Sequence, residues 1–375
     1  MNLDFFDRTI QEWIAPGIFF GAVVFELFFL LVFYLRLLFL KKSTETSLEK
    51  PVSVCLCVRN EEDRVERVLI QLLEQQYANF EVVVVDDFSE DCTIQKVAQL
   101  AKKYPQLKFT SISQETNFSE KLAINLAMKA ANSECVLFLQ PDTDAIDPLF
   151  LKKINDNIGE SNLLLNYTNL VREQKLMNKL CRLERFHSFL TSAAYSLSGV
   201  SVFYQESNVL FSKSIYFEKS GFRGKMNYYF ANLELVFNNH FKEKIRVSVD
   251  PETIIREKSE LPTGEFAELL QKRIRLNQQL GFGKRMLHFI ENLSKWMFAG
   301  SLIWMLSTEL QYWLFISVPA IIVFTFQFFI VKTMSARLKE EKIFLSSFMY
   351  IYIRQVLTLY QVLKIYIHDK RNKWN

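Results

Sequence analysis

From residue 51 to residue 139, short β-branched runs alternate with longer segments whose apolar residues recur every three or four positions. Residues 51–58 read as a strand. Arg59-Asn60-Glu61-Glu62 opens a helix that carries Val65, Val68, Leu69 and Leu72 on one face. Residues 80–85 form a second strand, and its consecutive valines suit burial on both faces of a parallel sheet. Residues 93–103, 107–111, 119–131 and 135–139 continue as helix, strand, helix and strand. This alternation predicts βαβ units and a parallel α/β sheet. Asp86 and Asp87 fall at the carboxyl end of the second strand. Gln140-Pro141-Asp142-Thr143-Asp144 follows the fourth. Open α/β sheets bind ligands at that edge.

Toward both ends the apolar pattern lengthens. Residues 17–40 are interrupted only by Glu26 and Arg36 and are long enough to cross a bilayer. Asp4, Asp7 and Glu12 precede them, unlike a signal peptide. Arg36, Lys41 and Lys42 flank the far end, which predicts an outside N-terminus and a cytosolic domain from Lys41 onward. Glu26 is expected to face helices or water rather than lipid. Residues 296–331, broken at 307–311, predict a hairpin of two short spans with the loop outside. Residues 343–367 place Arg354, Thr358, Gln361 and Lys364 in one polar stripe that continues to His368. They read either as a further span or as an interfacial amphipathic helix, and the basic tail 369–373 favours the latter. At 172–199 a basic amphipathic helix, with Arg172, Lys175, Lys179, Arg182 and Arg185, is expected on the inner membrane face. The alternative is a helix that covers the sheet of its own domain. Three regions follow: 1–41 with the first span, 42–290 as a cytosolic domain, and 291–375 as a transmembrane hairpin and amphipathic helix.

Composition adds limits. Half of the 375 residues are hydrophobic, with 35 Phe, which suffices for one domain plus membrane segments. The net charge of +4 is too small and dispersed for a nucleic-acid partner. The five cysteines lack zinc-site spacing and read as reduced, buried thiols.

Four motifs in order, Val58-Arg59-Asn60-Glu61-Glu62, Val85-Asp86-Asp87-Phe88-Ser89-Glu90-Asp91, Ser119-Glu120-Lys121-Leu122-Ala123 and Phe138-Leu139-Gln140-Pro141-Asp142-Thr143-Asp144, carry a resemblance. In order and spacing they resemble membrane-bound family-2 glycosyltransferases, over about residues 51–150 and more weakly to about 280. The resemblance implies a GT-A-like domain with transmembrane helices at both ends. It implies an inverting hexosyltransferase that moves a sugar from a nucleotide-sugar donor to a glycan or lipid-linked acceptor. Membrane lipids and membrane protein partners, at the cytoplasmic membrane of a bacterium, go with it. It places Arg59, Glu61, Asp86, Asp87 and Lys121 at the donor, and a divalent cation, Mg²⁺ or Mn²⁺, at an Asp-x-Asp.

The chain departs from the family pattern in three places. Gln140 replaces the first Asp of the metal motif. Asp142 is then the principal ligand, and Asp144, two residues on, the second. The acidic pair that supplies the base falls on Asn232 and Leu233, which leaves Glu234 as the nearest carboxylate. Of the Q-x-x-R-W signature, Arg273 and Arg275 remain for the diphosphate, while Lys272 stands at the Gln and Leu276 at the Trp. Two functions follow from the resemblance: an active glycosyltransferase, or a catalytically degenerate, glycosyltransferase-like nucleotide-binding or scaffold subunit of a membrane complex.

Overall fold

The structure is a computed structural model that describes residues 13–41, 48–115, 119–238, 245–258 and 264–372. Asp4, Asp7, Glu12, Lys42 and Lys373 lie outside the described residues. The chain divides into two units. One is helical and comprises Met1–Phe39, Leu280–Ala336 and Glu340–Asn375. The other holds the sheets and comprises Leu40–Gln279 with Arg337–Lys339.

The helical unit begins with α1 (Ile14–Val32), which continues as a 3-10 segment at Tyr34–Phe39. The sheet unit follows in chain order: β1 (Val52–Val58), α2 (Val65–Leu73), β2 (Phe80–Asp86), α3 (Thr93–Lys103), β3 (Leu107–Ser111), α4 (Ser119–Ala130) and β4 (Cys135–Leu139). It continues with β5 (Thr143–Ala145), α5 (Phe150–Ile158), β6 (Leu163–Leu165), β7 (Thr168–Leu170), α6 (Leu176–Leu197), β8 (Val209–Ser212) and α7 (Lys213–Glu218). It closes with α8 (Leu233–Phe237), β9 (Ile245–Val247), β10 (Ile255–Glu257) and α9 (Glu265–Gln279).

The main sheet has strand order β3-β2-β1-β4-β8-β6-β9. β3, β2, β1 and β4 are parallel, and β8 runs antiparallel to both β4 and β6. Its first four strands match the alternation expected from the sequence. Val82 to Val85 are all buried because both faces are covered. Val82 and Val84 join a core with Val54, Leu56, Val68, Leu69 and Ile154, while Ala123, Ile124 and Ala127 of α4 fill the interior on the other face. Each buried valine contributes on the order of 1.5–3 kcal/mol.

Helix α2 begins at Val65 rather than at Arg59. Asn60 has φ 54°, a left-handed conformation that a helix cannot include, so residues 61–64 form a turn instead. A second sheet, β5-β10-β7, adds three short strands to the unit. Helix α6 corrects the expectation of a membrane-facing basic helix. From Cys181 to Ser196 its residues are buried, apart from partly exposed Arg185, and it packs on β7, β9 and α9. Arg182 is only 4% exposed. The alternative, a helix that covers its own domain's sheet, is what forms.

The helical unit closes with α10 (Phe282–Thr308), a 3-10 turn at Leu310–Tyr312, α11 (Trp313–Arg337) and α12 (Phe344–Asn372). Phe298 of α10 stacks on Phe19 of α1 at 6.3 Å and meets Phe324 of α11 at 5.6 Å. Glu26 is buried and accepts a hydrogen bond from Ser294 at 2.6 Å, as expected of a carboxylate kept from lipid. On α12 the stripe residues Arg354 and Gln361 are buried, while Leu345 and Met349 are 77% and 63% exposed. Ile14–Phe39 and Trp313–Arg337 are long and apolar enough to cross a membrane.

Candidate active site

The strand register fixes the site. Val58 pairs with Asp86, and Leu56 with Leu139, so the segments after β1, β2 and β4 leave the sheet at one edge. Arg59, Asp87 and Gln140 are therefore neighbours by topology, as the alternation predicts. Asp86 and Asp87 are both buried. Oδ2 of Asp86 accepts from the Ser89 amide at 3.3 Å, while its Oδ1 is buried without a hydrogen-bond partner. Arg59 is exposed and pairs with Glu115. The amide of Glu61 donates to Thr93 Oγ1 at 2.8 Å, and burial pushes the Glu61 carboxyl above its usual range.

Asp142 follows β4 and meets the second sheet. Its carbonyl accepts from the Lys258 amide at 2.8 Å, and Thr143 pairs with Glu257 across β5 and β10. Burial raises the Asp142 carboxyl to about 7, and the negative charge of Glu257 adds to the rise, while Arg185 opposes it. One oxygen of Asp142 and one of Glu257 are buried without hydrogen bonds. The other Glu257 oxygen is ion-paired with Arg185. Carboxylate oxygens of this kind are what a hard divalent cation takes as ligands. Among the described residues no three His, Cys, Asp or Glu side chains form a closed protein cage. Asp144 is engaged elsewhere: its Oδ1 is held by Arg67 of α2 at 3.0 Å. The Asp142–Asp144 pair does not converge.

Three further expected residues are also tied into the protein. Lys121 is 5% exposed, and its amine donates to the Tyr228 carbonyl at 2.7 Å and to Asn232 Oδ1 at 3.2 Å. Burial lowers its pKa. It fastens α4 to the segment before α8. Arg273 is buried and ion-paired with Glu184 at 2.9 Å. Arg275, two residues on, is exposed and lies 5.8 Å from the Phe230 ring centroid. The two arginines therefore point to different surroundings.

Glu234 is not an exposed helix carboxylate. It is 0% exposed. Its Oε2 accepts from the Asn232 amide at 3.0 Å, and its Oε1 is ion-paired with the Lys272 ammonium at 2.9 Å. Burial pushes its carboxyl up, against the pull of Lys272. Lys272 also binds Glu206 at 2.8 Å.

Arg185, Glu206, Glu257, Lys272 and Arg273 line one cleft beside Thr168. The cleft thus holds Glu257, one of the two candidate cation ligands, together with Glu206, and the Arg185 guanidinium feels the charges of Glu257, Asp142 and Glu206. The sequence pattern did not single out Glu206, Glu257 or Lys272 for chemistry. Arg185 had been placed on a membrane-facing surface. The cysteines are all free, and Cys55 and Cys181 are buried, whereas Cys92 is exposed.

Residues 53–217 match the family model described as Glycosyl transferase family 2. The segment thus resembles the family-2 glycosyltransferases, and the fold is of the GT-A type. The chain is 33% identical over 109 residues to the amylovoran biosynthesis glycosyltransferase AmsB of Erwinia amylovora, covering 28% of this chain and 34% of that protein. It is 28% identical over 102 residues to a beta-monoglucosyldiacylglycerol synthase of Trichormus variabilis, covering 27% of this chain and 22% of that one. The chain thus spans about a third or less of the length of these relatives. The fold is similar, at a TM-score of 0.55 and 16% identity, to the mannosyltransferase PcManGT of Pyrobaculum calidifontis, solved with GDP-Man and Mn²⁺. That similarity covers 94% of this chain and 98% of the other.

Proposed function

We propose that this protein is a membrane-anchored glycosyltransferase that passes a sugar from a nucleotide-sugar to a glycan or glycolipid acceptor. The observation that supports this reading most is the single sheet edge at which β2 ends in Asp86 and Asp87 and β4 gives way to Gln140 and Asp142; Glu257, paired with the strand after Asp142, lines a charged cleft. Asp86 and Asp87 hold the nucleoside, with Arg59 and Glu61 at its rim. Asp142, with Glu257, would hold Mn²⁺ or Mg²⁺, which stabilises charge on the departing diphosphate when bound. Arg185 adds a fixed positive charge in the same place. Lys121, Arg273 and Arg275 belong to this proposal only as scaffold around the site. Anchoring rests on the helical unit, where apolar side chains of α1, α11 and α12 face outward. The cytoplasmic membrane of a bacterium belongs to the same proposal, since the curated relatives come from bacteria.

A second reading, a donor-binding scaffold without turnover, draws on the sealed position of Glu234. One titration separates the ligands. UDP and GDP binding to the detergent-solubilised chain should weaken at least about tenfold in Asp87→Ala with or without Mn²⁺, and in Asp142→Ala only when Mn²⁺ is present. Nucleotide binding unchanged in both variants would overturn the site. Binding without sugar transfer or donor hydrolysis would leave the scaffold reading.

A further inference from the structure

We propose that Glu206 is the catalytic base that removes the acceptor's proton, an assignment that rests on the glycosyltransferase reading above. The transfer needs an ionised carboxylate, open to the cleft, near the sugar's anomeric carbon. Asn232 and Leu233 have no such group, and Glu234 is enclosed with both oxygens engaged. Three acids line the cleft. The Glu184 side chain is 3% exposed against Arg273, and that of Glu257 is 5% exposed against Arg185. The Glu206 side chain is 30% exposed.

Topology puts Glu206 at the right edge. β8 runs antiparallel to β4 with Val209 opposite Phe138, and the Asn208 amide donates to the Phe138 carbonyl at 2.8 Å. The residues just before β8 therefore sit where β4 gives way to Gln140 and Asp142. Glu206, Arg185 and Glu257 line one cleft, so the base faces the same space as one of the candidate cation ligands. Lys272 holds Glu206 in position. Burial works against the charged form of Glu206, but Lys272 and Arg185 together keep its carboxyl below the usual range, so it is ionised at neutral pH.

The step balances. The acceptor oxygen forms its bond to the anomeric carbon as its proton passes to Glu206. The bond from that carbon to the phosphate oxygen breaks, and its electron pair leaves with the nucleoside diphosphate. The configuration inverts.

The test uses the full chain in detergent with Mn²⁺ and three donors, UDP-glucose, UDP-N-acetylglucosamine and GDP-mannose. Nucleoside diphosphate release is followed with water as the acceptor. Glu206→Gln and Glu206→Ala should each lower release about 100-fold or more while UDP or GDP affinity stays as in the native chain. Azide has no proton to lose, so adding it to Glu206→Ala should restore release and yield a glycosyl azide. A merely structural role for Glu206 would not be relieved by azide. Native release in Glu206→Gln, or an azide-insensitive loss with nucleotide affinity intact, overturns the assignment and leaves the glycosyltransferase reading standing. Nucleotide binding by the native chain with no release from any donor overturns both.

Discussion

Asp142 is the residue on which the candidate site turns, because three influences meet there: burial, the Glu257 charge and the opposing Arg185. A carboxyl raised to about 7 in the folded chain favours the protonated form. Its stabilising effect is complete below the ordinary carboxylate range and is lost as pH rises through about 7. A bound cation selects the ionised form, so its own effect has the opposite sign. The melting temperature without metal should fall between about pH 5 and 8, whereas the rise produced by Mn²⁺ with UDP should grow over the same range. Asp142→Asn should flatten both trends, and thermal unfolding across that pH range checks them. Asp86, Asp87 and Asp142 could be read from the sequence because strand ends located them. Lys121 and Glu234 could not be placed in this way. A lysine or glutamate in a helix reads the same whether its charge meets a ligand or a buried partner such as Asn232 or Lys272. Arg185 was misplaced because burial by a second layer leaves no mark on the letters of one helix.

At the scale of elements, β1 to β4 and α3 could be read because continuous valines and clean helical spacing admit one solution. β5, β7 and β10 have three residues each, too few to show any period, so the second sheet was invisible although it positions Glu257. The opposite edge of β2 carries a test of the fold independent of chemistry. Glu81 there accepts hydrogen bonds from Ser53 at 2.5 Å, Lys108 at 2.7 Å and the Asn132 amide at 2.6 Å. Burial opposes its charge, but these donors together hold the carboxyl below its usual range. That contribution is present above the ordinary glutamate pKa and is lost as pH falls through the lower folded value. Glu81→Gln should cost about 2 kcal/mol at neutral pH. Urea unfolding should show the cost shrinking in acid, with nucleotide affinity unchanged.

For the whole molecule, the notable contrast is between the two units. In the sheet unit apolar residues face inward. In the helical unit Leu345, Met349, Val356 and Leu363 of α12 face out, and Arg354, Gln355 and Gln361 face in. The periodic stripe of polar residues was legible, but which side it faces depends on the solvent, and that is not written in the spacing. The membrane proposal makes a topological prediction. With the N-terminus outside, the turn between α10 and α11 is outside too, so a Thr308→Cys variant should react with an impermeant maleimide added to intact cells. Labelling only after lysis would reverse that arrangement. The helical unit is also assembled from both ends of the chain, and this has a consequence in time. Glu26 and its partner Ser294 are 268 residues apart. At ordinary synthesis speeds α1 would wait on the order of tens of seconds in the bilayer before α10 arrives. If α1 inserts as proposed, Glu26 has no Ser294 to bond during that interval, so each nascent chain would pass through a stage in which its first helix sits poorly in lipid.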